Sequence, residues 1–100
     1  DVINTGGVLV ASREVEEAIY RHDAVAEVAV VGMPHERWIE QVTAFVVVKD
    51  GAAEPTEDEI VEFAAQSIAS FKVPKQVIFV PQLPRNQSGK LLKRVLRDEH

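Results

Sequence analysis

Apolar residues recur along this chain with two different periods, and the switches between them set out the order of elements. From Val2 to Val10, two short β-branched and apolar runs flank Asn4-Thr5-Gly6-Gly7. Thr5-Gly6-Gly7 is a turn signal, so this stretch predicts a β-hairpin. Val15, Ala18, Ile19 and His22 then fall at intervals of three and four, the spacing that lines one face of an α-helix. Ser12 stands where a side-chain oxygen can cap such a helix, which is expected to run to about Arg21. Glu17 and Arg21 form an exposed pair on it. His22 closes it, where a cation suits the negative end of the dipole.

The next segments are strand-like. Val25 to Met33 is mostly apolar, and Val42 to Lys49 is a second such run. Glu36 to Glu40 links them closely enough for antiparallel pairing. Thr56 and Glu59 have the spacing of a capping box and open a helix expected to reach about Ser70. Ile60, Phe63, Ala64, Ile68 and Phe71 make its apolar face. Pro74 stops any extension. Val77 to Val80 is a third strand between prolines, and Pro84 to Lys90 is a polar loop. Leu91 to Arg97 allows one or two further helical turns. The pattern predicts an α+β domain: a small three-stranded antiparallel sheet, two amphipathic helices and an N-terminal β-hairpin.

Length and composition narrow this picture. One hundred residues suit a single domain, residues 1–100, with one core. Apolar residues make up 46% and charged residues 27%, as in a globular chain. The net charge of −5 argues against general nucleic-acid binding. There is no cysteine, which excludes disulfides, thiolate catalysis and Cys-ligated zinc and fits a reducing, cytoplasmic setting. No apolar run reaches membrane-spanning length, and the first residues lack the pattern of a signal peptide. The chain opens without Met, inside a predicted strand, and is read as a piece of a longer protein.

Charge is segregated. Asp50 to Glu62 carries six acids and no base, whereas Arg85 to Arg97 carries five bases and no acid. A basic segment on an acidic protein either faces an anion or pairs with the acidic segment in the fold. Within it, Gly89-Lys90 joins a backbone of unusual freedom to a compact positive charge on a long stem. That suits contact with a phosphate or carboxylate, and it equally suits a solvated surface turn. A P-loop is excluded, because Pro84 stands where its first glycine is needed and Leu91 where its Ser or Thr is needed. The serines lack the setting of a nucleophile elbow, and His22 and His35 lack the spacing of helical metal ligands.

Several motifs occur in order: Asp1-Val2-Ile3 with Thr5-Gly6-Gly7, Glu14-Val15-Glu16, Val25 through Trp38, Phe71-Lys72-Val73-Pro74-Lys75, and Leu83-Pro84-Arg85 through Gly89-Lys90. The succession resembles the small C-terminal domain of the adenylate-forming enzymes: acyl-CoA synthetases, adenylation domains of peptide synthetases, and luciferases. It is closest to the acyl-CoA synthetases. The resemblance implies ATP, arriving with Mg, a carboxylic acid such as a fatty acid, and coenzyme A as reactants. The main ATP and acyl pockets would lie in the protein's own N-terminal domain, and this domain alone would be inactive. Lys90 would be the lysine of the adenylation step and a target for a lysine acetyltransferase. Gly6 and Gly7 would border the channel of the attacking thiol. Trp38 and Phe71 would lie near the nucleotide of coenzyme A, and a hinge would sit at or just before Asp1.

The chain departs from the family pattern in places. Val8-Leu9 follows Gly6-Gly7 where Glu-Asn is common, and Ala11-Ser12 replaces an aromatic-Pro pair. Val73 stands where an arginine can bind nucleotide, with Lys72 and Lys75 as substitutes. Ile39 replaces a frequent glycine. Two alternatives stay open: an adenylation domain that loads a carrier-protein phosphopantetheine, and a non-catalytic α+β interaction module.

Overall fold

The computed structural model describes residues 2–100. The hinge expected at or before Asp1 lies outside the described residues. The elements are β1 (Val2–Thr5), β2 (Val8–Ala11), α1 (Ser12–Tyr20), β3 (Val25–His35), β4 (Ile39–Val48), α2 (Glu57–Ala65), a short 3-10 helix (Ser70–Lys72), β5 (Gln76–Phe79) and α3 (Lys93–Glu99). No helix among the described residues is long and apolar enough to cross a membrane.

The antiparallel β3–β4 ladder is the spine, running from Val25 and Val48 to His35 and Ile39. Its residues divide between two cores by alternation. Val30, Val42, Ala44 and Val46 pack with α1 and α2. Ala29, Val31 and Phe45 pack with Leu83 and Leu96 from the C-terminal segment. Both faces are covered, which is why the two strands read as continuous apolar runs rather than as alternating ones.

The α+β class holds, but the sheet is not a three-stranded antiparallel one. β5 lies parallel to β4, with Thr43 opposite Gln76 and Val46 opposite Phe79. The connection through α2 is long enough for the crossover that parallel pairing needs. The hairpin joins the same sheet, because Thr5 pairs with Ile39. The result is one five-stranded sheet, with β3 along one edge of β4 and β1 and β5 along the other.

Three local expectations change. Ser12 is not the cap of α1: Ala11 holds that position without a side-chain bond. The chain passes from β2 into α1 with no loop, so the Ser12 side chain turns inward and its Oγ accepts a hydrogen bond from Lys93 Nζ at 3.2 Å. The exposed pair is Arg13–Glu17, since Arg21 stands past the last turn as C-cap. His22 does not close the helix, which ends at Tyr20 with Arg21 as C-cap; its Nδ1 instead accepts a hydrogen bond from the Ala24 N–H at 3.1 Å. Its ring packs edge-on against Phe63.

The capping box of α2 forms as read: Thr56 Oγ1 accepts from the Glu59 N–H, and Glu59 Oε1 accepts from the Thr56 N–H. The helix ends early, at Ala65. The amides of Gln66 and Ser67 reach back only three residues, to Phe63 and Ala64, the tightening that closes a helix end. Phe71 therefore leaves the apolar face of α2 and is 48% exposed.

Candidate functional site

The Lys90 loop contains no apolar anchor, since every residue from Arg85 to Lys90 is exposed. Its shape comes from hydrogen bonds. Asn86 Oδ1 accepts from the Ser88 N–H (3.0 Å), the Ser88 hydroxyl (2.9 Å) and the Lys90 N–H (2.9 Å). The Asn86 amide donates to the Lys90 carbonyl, and the Asn86 carbonyl accepts from the Gly89 amide, both at 3.0 Å. Gly89 takes φ +85°, where a side chain would be strained. Arg85 finishes the loop by donating to the Gly89 carbonyl and to Glu27 Oε1 on β3 at 2.6 Å. The Lys90 ammonium has no ion pair or hydrogen bond among the described residues.

The segment that follows is tied down. Lys93 reaches Glu16 Oε2 at 2.9 Å as well as the buried Ser12. Glu16 Oε2 also accepts from the Val30 N–H at 2.8 Å. This joins α3, α1 and β3 just beyond the loop. Part of the basic segment thus pairs within the fold, but with acids of α1, β3 and β4 rather than with the run from Asp50 to Glu62. Lys90 is left to face outward.

The Gly6-Gly7 turn is built differently. Gly6 and Gly7 have φ of +66° and +92°. The Gly7 N–H donates to Asn4 Oδ1 at 2.9 Å, and the Gly6 N–H donates to the Trp38 carbonyl at 2.7 Å. A Cβ on Gly6 would meet Trp38 Cδ1 at 4.0 Å, an ordinary contact, so the backbone angle rather than the space calls for glycine. Half-buried Trp38 stacks on His35, with ring centres 4.4 Å apart, and Lys75 Nζ lies 5.4 Å from its ring centre. Ile39 has φ +64°, the αL region that β-branched residues avoid. The Glu40 amide bonds back across it to the Trp38 carbonyl at 2.6 Å, so that carbonyl receives both Gly6 and Glu40.

The fold brings Gly6 and Trp38 together. Phe71 stands elsewhere, with Lys72 over its ring at 5.6 Å, and Lys72 is paired with Glu14 at 2.9 Å. Val73 is buried, and of the two substitute cations Lys72 is committed to Glu14 while Lys75 lies over Trp38. Lys90 belongs to the opposite end of the spine. Glu27, its anchor, and His35, beside Trp38, are separated by eight residues of β3, about 26 Å along an extended strand. No group of three or more His, Asp or Glu side chains suited to a metal ion occurs among the described residues.

Two residues escaped the sequence reading. Asn86 lies inside the Gly-Lys motif, and an Asn two residues before a Ser is an Asx-turn signal. Glu40 accepts from the Asn4 N–H (2.9 Å) and pairs with Arg97 (3.5 Å). No local pattern announces it, since its partners come from β1 and α3.

The profile described as "AMP-binding enzyme C-terminal domain" matches residues 14–90. Over 99 residues the chain is 50% identical to the 3-[(3aS,4S,7aS)-7a-methyl-1,5-dioxo-octahydro-1H-inden-4-yl]propanoyl:CoA ligase of Rhodococcus jostii (strain RHA1), covering 99% of this chain and 19% of that protein. It is 47% identical over 97 residues to a 2-succinylbenzoate–CoA ligase of Bacillus cereus, covering 97% of this chain and 20% of that protein. A Mycobacterium tuberculosis fatty acyl CoA synthetase superposes with a TM-score of 0.93 at 43% identity, over all of this chain and 20% of that one. The chain thus spans about a fifth of the length of these relatives. The profile takes in both β3–β4 and the Gly89-Lys90 turn, and the superposition covers every element around them: this chain belongs to the AMP-binding enzyme C-terminal domain family.

Proposed function

We propose that this domain serves a two-step acid–thiol ligase and supplies Lys90 to the first step. In that step a carboxylate oxygen of a fatty or related acid attacks the α-phosphorus of ATP. The bond to pyrophosphate breaks and an acyl-adenylate forms. In the second step the thiol of coenzyme A attacks the acyl carbon, and AMP leaves. The curated relatives are CoA ligases by name, which favours coenzyme A as the acceptor. ATP comes with Mg, and both are held mainly by the protein's own N-terminal domain.

The observation that carries this reading is the unpartnered ammonium of Lys90 on a loop whose backbone is already bonded. Both reactants of the first step are anions. An ammonium placed between them offsets their repulsion and stabilises the charge that develops on the phosphate. Closure of the two domains excludes water and strengthens the contact. Gly6 and Gly7 border the thiol channel in this reading, and Trp38, with Lys75 over its ring, meets the nucleotide of coenzyme A. Phe71 contributes from its separate exposed position. Lys90 is also accessible to a cytoplasmic lysine acetyltransferase, and acetylation would erase the charge. Stoichiometric acetylation that leaves adenylation unchanged would exclude that regulation.

In the full-length ligase, Lys90→Ala should lower acid-dependent pyrophosphate release by at least about 100-fold, the scale of losing one charge-stabilising donor. Thioester formation from supplied acyl-adenylate should stay within about twofold. Equal loss in both half-reactions refutes the assignment.

A further inference from the structure

We propose that Asn86 is the positioning residue for Lys90, with its side-chain oxygen holding the loop in the shape that presents the ammonium. The inference rests on the reading of Lys90 given above and adds a second residue to it. A lysine side chain has many rotamers and a flexible stem, so its placement depends on a fixed starting point at the backbone. No packing supplies that point, because residues 85–90 are all exposed. Among the described residues, the ladder contact at this loop is the isolated bridge between Arg85 and Leu91.

Asn86 holds Lys90 from both sides. Its Oδ1 takes the Lys90 N–H, and its own amide gives to the Lys90 carbonyl. One residue thereby fixes the peptide groups before and after the Lys90 Cα, and with them the direction of the Cα–Cβ bond. The same oxygen takes both the amide and the hydroxyl of Ser88. Three donors thus converge on one acceptor, whereas the Asn86 Nδ2 has no partner among the described residues. The side chain is therefore used as an acceptor. Any short side chain with an oxygen at this position can partly replace it, and an apolar one of equal size cannot. Arg85 holds the Gly89 carbonyl and fixes where the loop sits on β3 through Glu27, and Asn86 fixes the peptide groups on either side of Lys90.

A purely structural role predicts something different. The loop buries no apolar residue, so its disorder costs the two cores little. The loss should appear in the chemistry that depends on Lys90 and nowhere else. The test uses the full-length ligase with Lys90→Ala, Asn86→Leu and Asn86→Ser. Each is assayed for acid-dependent pyrophosphate release and, separately, for thioester formation from supplied acyl-adenylate, with a thermal melt alongside. Asn86→Leu should cut the adenylation kcat by about 30- to 100-fold, the effect of misplacing a group by about 1 Å. The KM for ATP and the thioester step should each move by less than about twofold. Asn86→Ser should regain at least about a fifth of the wild-type adenylation rate, and the melts should stay close to wild type.

If Lys90→Ala abolishes adenylation and Asn86→Leu leaves it within about twofold, the positioning role is wrong while the lysine reading stands. Equal loss of both half-reactions in Asn86→Leu, or no recovery in Asn86→Ser, also overturns it. If Lys90→Ala leaves adenylation intact, the lysine reading itself fails, and the Asn86 role falls with it.

Discussion

The two ends of the β3–β4 spine hold their exposed residues by opposite means. At the Gly6 end, a strand pairing and a stacked aromatic do the holding. Trp38 is half-buried on His35, and its carbonyl receives both Gly6 and Glu40. At the Lys90 end nothing is buried, and a single asparagine oxygen with two backbone bonds shapes the loop. The first end is tied into the sheet through the Thr5–Ile39 pairing, and it holds Ile39 at a strained backbone angle. The second is ordered only while its hydrogen bonds last, each worth little against water. A turn lining a channel suits the first construction. In the proposed reading, a lysine that enters another domain's pocket and leaves again suits the second, whose environment can change without disturbing the core.

That contrast breaks most sharply on Gly6. At φ +66° a branched side chain costs about 1–2 kcal/mol, which the turn sheds by shifting its backbone, and a displacement of about 1 Å beside the reacting groups can cost up to about 100-fold in rate. Gly6→Val in the full-length ligase should therefore slow thioester formation from supplied acyl-adenylate about tenfold and leave pyrophosphate release within about twofold. This is the mirror image of Lys90→Ala. A fall in pyrophosphate release as large as the fall in thioester formation would mean that the two ends do not divide the half-reactions.

The sequence made one end far more legible than the other. The Gly6-Gly7 turn, the two long strands and the Thr56–Glu59 capping box are local in sequence, so spacing and residue type reveal them. Gly89-Lys90 was visible as a motif, and its place in the family pattern gave it an expected role. What made the loop work was hidden, because Asn86 gains its meaning from where three donors converge. The parallel setting of β5 was equally hidden. A short apolar strand between Pro74 and Pro81 reads the same in either direction, and only tertiary packing decides. Ser12 misled because strand and helix meet without a loop, which turns an expected cap inward toward Lys93. Phe71 misled because periodicity carried α2 past Ala65, where the backbone had already tightened.

A smaller effect tests the strain at the Gly6 end. Ile39 is 59% exposed, so its side chain contributes little by burial, while its φ of +64° costs about 1–2 kcal/mol for an L-residue. Glycine removes that cost and adds about 0.5–1 kcal/mol of backbone entropy loss on folding. Ile39→Gly should thus raise stability by about 0.5–1 kcal/mol, read as a higher denaturant midpoint with unchanged slope. A lower midpoint would show that the Ile39 side chain, not the backbone, matters at this turn.

The smallest effect comes from a helix that belongs to neither end, and it serves as a control on both. Glu59 has its carboxyl held below the ordinary range, first by the Thr56 backbone N–H it accepts from and then by the Thr56 side chain. A carboxylate whose folded pKa is depressed adds stability above its unfolded pKa and loses it as pH falls through the folded value. Glu59→Gln keeps an oxygen acceptor for the Thr56 amide but cannot titrate. Wild type should therefore be the more stable of the two near neutral pH, and the two should converge as acid protonates Glu59. Between about pH 5 and pH 3 wild type should lose stability more steeply, by a share of one proton. Denaturation midpoints across that range decide the matter, and parallel curves would deny the capping box its electrostatic part. Because α2 contacts neither the Lys90 loop nor the Gly6 turn through any of the bonds described, the same variant should leave both half-reactions unchanged. A skew toward either one would show that the two ends communicate through the core rather than acting separately.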